Sequence, residues 1–153
     1  MKKLFKLFIL ALFVSAAGMA AAASDRGTAE EAVALVKKVI ADMKKDGKEK
    51  VIQEVQTGSS RYKDRDLYIF ISGMDGVTRA NGNNPKIAGK NLNDVKDADG
   101  KYMGKERFEI ARSKGQGWQD YRWPDPLTKE IHKKSTYLEK YEDLIVSCGI
   151  YKN

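Results

Sequence analysis

The last third of the chain is made of three strand-like segments that follow one another with only short turns between them. They read GQGWQDYRW, HKKSTYLEKYE and DLIVSCGIYK, with PDPLTKE joining the first to the second. Consecutive strands joined by short turns pair in an antiparallel way, because a parallel connection needs a crossover of about a dozen residues or more. These segments therefore predict an antiparallel sheet.

Two helices and a hairpin precede this sheet. Apolar or small residues recur with helical spacing from Ala29 to Met43, and Thr28 with Glu31 forms a capping box at the start. A shorter helix is predicted from Lys48 to about Gln56. The segment DLYIFIS then turns at Asp75-Gly76 and returns as VTRAN, which predicts a β-hairpin.

One more helix, KYMGKERFEIARSK, connects the hairpin to the three final strands. This order of elements predicts an α+β domain with a PAS-like, five-stranded antiparallel sheet. The order is two helices, a hairpin, a crossover helix and three strands. The length from Ser24 to Asn153 suits one domain with one hydrophobic core.

The N-terminus has the features of a secretory signal peptide. Basic residues lead into LFILALFVSAAG, and a run of small residues ends near Ala23. Residues 1–23 are therefore predicted to be a cleaved signal peptide, and residues 24–153 are predicted to be an exported, periplasmic domain. The alternative is that the N-terminal segment stays uncleaved as a membrane anchor. No second apolar segment follows Ser24.

Charge and catalytic motifs exclude several classes of function. The formal charge of +7 is spread along the chain without a basic block, so no nucleic-acid partner is expected. The motifs GxSxG, HExxH and a glycine-rich phosphate loop are absent from the sequence. The single cysteine, Cys148, lies in an apolar run and predicts a small buried residue. The single histidine, His132, has no neighbouring zinc ligand.

Acidic residues also give no catalytic or metal site. Glu106 and Glu109 are interleaved with Lys105 and Arg107, as on a solvated helix face. The segment DADG from Asp97 to Gly100 would place Val95 at the first ligand position of a calcium loop. It is interpreted instead as a turn whose acids favour the start of the next helix. We therefore expect no enzyme, no cofactor and no metal.

Strand alternation suggests a pocket on one face of the sheet. Tyr121 and Trp123 share a face, and Trp118 points the other way. In the last strand, Ser147 and Gly149 share a face and are small enough to leave a hollow. Lys134 and Arg79 are candidate cations for an anion in this hollow. From alternation alone, sheet packing is an equal alternative for the aromatic pair.

Four stretches of the sequence resemble one family in order and spacing. These are RDLYIFISGMDG, ANGNNPKIAGKNLNDVKDADGKY, GWQDYRWPDPLTKE and KKSTYLEKYEDLIVSCGIY, and they are similar to the single Cache domain of the second type. The resemblance covers Ser24 to Asn153. It implies a PAS-like extracytoplasmic sensor domain of chemotaxis or signal transduction, with a pocket for a short carboxylate such as acetate, propionate, pyruvate or lactate.

The resemblance also implies ligand contacts for Tyr121, Trp123, Lys134 and Tyr137. Simple alternation puts Lys134 and Tyr137 on opposite faces of their strand, so either a bulge re-aims one of them or one lies outside the pocket. Where many relatives have histidine after the hairpin turn, this chain has Asn81. Asn81 is kept as a candidate ligand contact without a titratable group.

The sequence leaves two function classes open besides the disfavoured enzyme. The first is an exported module that binds a small organic acid and presents it to a membrane receptor or transporter, because no signalling region is present in the sequence. The second is an accessory interaction protein with a vestigial pocket. In either case the helix at Ala29 to Met43 could form a homodimer.

Overall fold

A computed structural model describes residues 26–152, and the predicted signal at residues 1–23 lies outside this range. The helices are α1 (Ala29–Asp46), α2 (Lys48–Gln56) and α3 (Met103–Ser113). The strands are β1 (Lys63–Asp64), β2 (Leu67–Gly73), β3 (Thr78–Asn81), β4 (Gln116–Pro124), β5 (Ile131–Tyr141) and β6 (Leu144–Lys152). Among residues 26–152, no helix combines the length and apolar character that crossing a bilayer requires.

The first helix begins where the sequence predicts. The Thr28 hydroxyl accepts a hydrogen bond from the backbone N–H of Glu31 at 3.2 Å, and the Glu31 carboxylate accepts one from the Thr28 N–H at 2.8 Å. This capping box satisfies two N–H groups that have no partner inside the helix. Gly47 separates α1 from α2 with a φ of +94°, a conformation that favours glycine.

The strands form one antiparallel sheet in the order β1-β2-β6-β5-β4, with β3 paired to β2. The five predicted strands are present, and the two-residue β1 is an addition that the sequence pattern did not indicate. In the register of the central strands, Tyr121 lies opposite Lys134, and Lys134 lies opposite Tyr151. Strand β5 pairs along its whole length without a bulge, so its side chains alternate strictly between the two faces.

The two faces of the sheet are covered differently. Helix α1 packs across one face and forms the main core with alternate residues of the central strands, namely Ile69, Ile71, Tyr137, Leu144, Val146 and Cys148. On the other face, α3 covers only one end, where Phe108 and Ala111 pack against Leu138 and Ile145. The rest of that face lies beneath the long connection between β3 and α3, and this arrangement leaves room for a cavity.

The acidic turn before α3 stabilises its own loop and does not cap the helix. The Asp97 carboxylate accepts hydrogen bonds from the backbone N–H groups of Asp99, Lys101 and Arg122, at 3.0, 2.8 and 3.2 Å. Helix α3 starts after Tyr102 without a side-chain cap. Within the described residues, no cluster of three acidic, histidine or cysteine side chains could hold a metal ion.

Candidate functional site

A cavity of about 230 Å³ lies between the sheet, the first turns of α3 and the connection from β3 to α3. The sheet contributes Tyr68, Phe70, Thr78, Asn81, Tyr121, Trp123, Lys134, Thr136, Ser147, Cys148 and Gly149. The connection and the helix contribute Ile87, Lys90, Leu92, Val95, Met103 and Arg107. Five of the predicted site residues therefore meet here as expected, and Asn81 joins them from β3.

Lys134 forms the floor of the cavity and is 3% exposed. Its Nζ donates hydrogen bonds to the hydroxyl oxygens of Tyr68 at 2.6 Å and Tyr151 at 3.1 Å. The ammonium also lies 4.1 and 4.5 Å from the centres of these two rings. Two tyrosines from neighbouring strands therefore fix the position of the Lys134 side chain.

The charge of Lys134 is incompletely compensated. Burial is the main cause that lowers the pKa of this lysine to about 7, and the nearby positive charge of Arg107 contributes to the same shift. Asp66 and Asp125 act in the opposite direction from a distance. Among the described residues, no carboxylate comes within 4.0 Å of the Lys134 ammonium.

An ion-pair network lies behind the floor of the cavity. Arg26 contacts the buried carboxylates of Asp66 at 3.3 Å and Asp125 at 2.5 Å. Its guanidinium lies 5.8 Å from the centre of the Tyr151 ring. The network joins the segment before α1 to the turn after β4. It also places the carboxylates of Asp66 and Asp125 close enough to Lys134 to act against the lowering of its pKa.

Gly149 is required by the path of the Lys134 side chain. A Cβ atom at residue 149 would collide with the Lys134 methylene groups and with the Thr136 hydroxyl. The neighbouring Ser147 is small as well, and its hydroxyl donates to the carbonyl oxygen of Phe70 at 3.0 Å. The Lys134 side chain therefore fills the space directly above Gly149, and both Gly149 and Ser147 line the cavity beside it.

Tyr121 and Trp123 form one wall of the cavity. Their rings meet edge to face, with centroids 6.1 Å apart and planes at 79°. The Tyr121 hydroxyl shares a hydrogen bond of 2.8 Å with the Thr136 hydroxyl. Trp118 lies on the opposite face, as predicted, with its ring 5.5 Å from that of Tyr137.

The structure corrects the location of two predicted site residues. Tyr137 lies on the α1 side of the sheet, because β5 contains no bulge that would turn it towards Lys134. Its hydroxyl donates to Gln116 and Glu139. Arg79 lies outside the cavity lining, since its guanidinium folds back onto Asp75 of the hairpin turn at 2.6 Å. The predictions that these two residues line the pocket are wrong.

Arg107 is a cavity residue that the sequence interpretation assigned to a solvated helix face. It is 3% exposed, its Nε donates to the Gln119 side chain at 3.1 Å, and its guanidinium lies 5.0 Å from the centre of the Phe70 ring. The sequence spacing could have predicted this burial. Arg107 lies four residues after Met103 and four before Ala111, so the three residues share one face of the helix.

Asn81 and Thr78 contribute polar groups from the hairpin. The Asn81 side-chain oxygen accepts hydrogen bonds of 2.8 Å from the N–H groups of Asn83 and Asn84 and so holds the start of the connection. The Thr78 hydroxyl lines the cavity and is buried without a hydrogen-bond partner in the part of the chain that the structure describes. It is therefore available to a ligand.

Cys148 and His132 do not form a catalytic pair. Burial raises the pKa of the Cys148 thiol to about 12, so it stays protonated at neutral pH. In the sheet register Cys148 lies opposite Tyr137, five residues along β5 from His132. At the rise of a β-strand this separation is about 16 Å.

Comparisons with known proteins agree on one family and one fold. The sequence model of the family Single Cache domain 2 matches residues 13–153. The methyl-accepting chemotaxis protein McpP of Pseudomonas putida is 28% identical over 101 residues, which cover 65% of this chain and 19% of that protein. The chain thus spans about a fifth of the length of this curated relative.

Solved sensor domains have a similar structure. A Cache chemosensory domain described for its recognition of carboxylic acids has a TM-score of 0.68 at 22% identity, covering 81% of this chain and 92% of that one. A methyl-accepting chemotaxis protein from Vibrio parahaemolyticus has a TM-score of 0.69 at 20% identity, covering 80% and 86%. These similarities confirm the predicted PAS-like α+β fold.

Proposed function

The chain belongs to the Single Cache domain 2 family of extracytoplasmic sensor domains, and we propose that its cavity reversibly binds a short-chain carboxylate. Acetate, propionate, pyruvate and lactate are the candidates that follow from the sequence resemblance. The description of a similar Cache domain in terms of carboxylic acid recognition supports this class of ligand. The similarity to a chemotaxis receptor supports a role in sensing.

The buried ammonium of Lys134 carries this proposal. A buried charge without a counter-ion costs several kcal/mol unless an opposite charge and hydrogen bonds compensate it. Among residues 26–152, the hydrogen-bond partners of the Lys134 ammonium are two neutral tyrosine hydroxyls. A carboxylate in the cavity would supply the missing charge, and it would raise the pKa of Lys134 on binding.

Neighbouring groups fit the two ends of a short acid. The Thr78 hydroxyl would donate a hydrogen bond to the carboxylate, and so would whichever hydroxyl of the Tyr121–Thr136 pair does not donate to the other. The apolar end would pack against side chains of the covering connection and of α3, namely Ile87, Leu92, Val95 and Met103. Such a ligand touches both the sheet and the segment above it.

Sensing needs no chemical step. A ligand shifts a conformational equilibrium whenever it binds one state more tightly than the other. Contacts to both the sheet and the connection between β3 and α3 would give this difference in affinity, because movement of the connection would break them. A periplasmic location, and a membrane receptor or transporter as partner, belong to the same proposal.

The open cavity distinguishes this function from the alternative. An accessory interaction protein with a vestigial pocket should have that space filled by its own side chains. The space of about 230 Å³ beside Lys134 instead favours ligand binding. A homodimer through α1 is compatible with either function.

A thermal-shift screen tests the proposal. Acetate, propionate, pyruvate, lactate and the dicarboxylate succinate would each be added to the purified protein, to Lys134→Met and to the matched variant Lys133→Met. Lys133 is the exposed neighbour on the same strand. At a ligand concentration of about 100 Kd, binding adds about 2.7 kcal/mol to the free energy of unfolding. We expect at least one acid to raise the Tm of the wild type and of Lys133→Met but not the Tm of Lys134→Met. If none of the five acids raises the Tm of the wild type, the proposed function is wrong.

A further inference from the structure

We infer that the cavity is selective for a short dicarboxylate, with one carboxylate at Lys134 and the other at Arg107. The inference rests on the proposed function, since it names the class of carboxylate that the same cavity prefers. It starts from the observation that two buried cations face this space, from different elements of the fold.

Arg107 has the same lack of charge compensation as Lys134. Only its Nε has a hydrogen bond within the described range, to the neutral amide of Gln119. The rest of the guanidinium group lies over the Phe70 ring, and no carboxylate of residues 26–152 comes within 4.0 Å. Arginine remains protonated in proteins and pairs well with a carboxylate through two parallel N–H donors. The Arg107 side chain therefore provides a second anion-binding group.

The two cations lie over different aromatic rings of the same strand. Lys134 lies over the ring of Tyr68, and Arg107 lies over the ring of Phe70. These rings are two residues apart on one face of β2, which corresponds to about 7 Å along the strand. Two carboxylates joined by a short methylene chain could therefore pair with one cation each.

The size of the cavity supports the same class. A cavity of about 150 Å³ in another protein holds benzene, a ligand of six heavy atoms. The cavity described here has about 230 Å³, which is more than acetate or propionate requires. The apolar side chains of Leu92 and Val95 line it and would contact the methylene groups of a longer acid.

The charge of the lining also favours a ligand with two negative charges. Lys90, which is exposed, adds a third positive side chain to those of Lys134 and Arg107. No aspartate or glutamate is among the described residues that line the cavity. A dicarboxylate would balance most of this charge, whereas a monocarboxylate would leave a buried cation uncompensated.

Calorimetric titration with succinate and butyrate tests the inference. Both acids have four carbons, and they differ only in the second carboxylate. Because the second carboxylate would form charge-assisted hydrogen bonds with Arg107, we expect the wild type to bind succinate about tenfold more tightly than butyrate, or better. In Arg107→Gln the preference for succinate over butyrate should fall below about threefold. Arg112→Gln, an exposed position on the same helix, is the control and should keep the preference.

The outcomes separate this inference from the proposed function. Equal or tighter binding of butyrate in the wild type overturns the dicarboxylate inference and leaves carboxylate binding intact. If neither acid binds and the monocarboxylate screen is also negative, both proposals fail. The comparison in the wild type decides the question even if Arg107→Gln does not fold.

Discussion

Replacing Lys134 by methionine should stabilise the protein in the absence of ligand while abolishing its response to ligand. The side chains are similar in size, so the change removes the buried ammonium and leaves the packing nearly intact. Binding sites commonly carry such local destabilisation, because groups prepared for a ligand are poorly satisfied without it.

The magnitude follows from the pKa of Lys134. Burial lowers this pKa from 10.5 to about 7. At pH 7 the resulting linkage destabilises the folded state by about 4 kcal/mol. The variant also loses two hydrogen bonds and leaves the Tyr68 hydroxyl without its lysine partner, at a cost of about 1–1.5 kcal/mol for each bond. We expect a net stabilisation of about 1–2 kcal/mol.

The sign of the pH dependence provides a sharper test. Between pH 7 and pH 10.5 the unfolded chain holds a proton on Lys134 that the folded protein has released, so the stability of the wild type rises with pH in this window. Below pH 7 both states are protonated and the penalty is complete. The advantage of Lys134→Met over the wild type should therefore shrink by about 2–3 kcal/mol between pH 6 and pH 9.

Urea unfolding of both proteins at pH 6, 7.5 and 9 measures this difference. A stability difference that stays constant with pH would show that Lys134 does not change its protonation on unfolding. A variant that is less stable than the wild type at pH 6 would show that the two tyrosines fully compensate the ammonium. Either result would contradict the proposal that a negatively charged ligand compensates the buried Lys134 ammonium.

Three further predictions concern residues around and outside the cavity. Gly149→Ala should lower the free energy of unfolding by about 1–3 kcal/mol and abolish ligand binding, because the new methyl group displaces the Lys134 side chain. Urea unfolding measures the change in stability, and titration with a carboxylate measures the loss of binding. Tyr121→Phe should weaken carboxylate binding by about 5- to 20-fold, because the site loses one hydrogen-bond donor. The control Tyr137→Phe should leave the affinity unchanged. Equal effects of the two substitutions in a titration would contradict the assignment of Tyr121 and Tyr137 to opposite faces of the sheet. Arg79→Ala should change neither the affinity nor, by more than about 0.5 kcal/mol, the stability, because its ion pair is at the surface.

Strand alternation made much of the site predictable. Tyr121 and Trp123 are two residues apart, as are Ser147 and Gly149, and the side chains of a regular strand point to alternate faces. The same rule separated Trp118 from this group and raised the question of Tyr137. It worked because β4, β5 and β6 pair without bulges along this part of the sheet.

The hairpin and the helix were harder to predict, each for its own physical reason. The register between β2 and β3 shifts between Ile71 and Ser72, so alternation fails there, and Arg79 forms a local ion pair instead of facing the cavity. A charged residue on an amphipathic helix is usually solvated. Arg107 is buried only because the first turns of α3 lie against the sheet beside Phe70.

The order of the elements, the antiparallel sheet and the strand residues that share a face could be predicted from the sequence, because these features depend on local periodicity and short connections. The charges that meet at the cavity could not be predicted in this way, because they are far apart in the sequence. Lys134, Arg107 and the two tyrosines that hold the lysine come from four separate elements, β2, α3, β5 and β6. Their burial, and with it the lowered pKa of Lys134, is set by how those elements pack and not by any pattern within one of them.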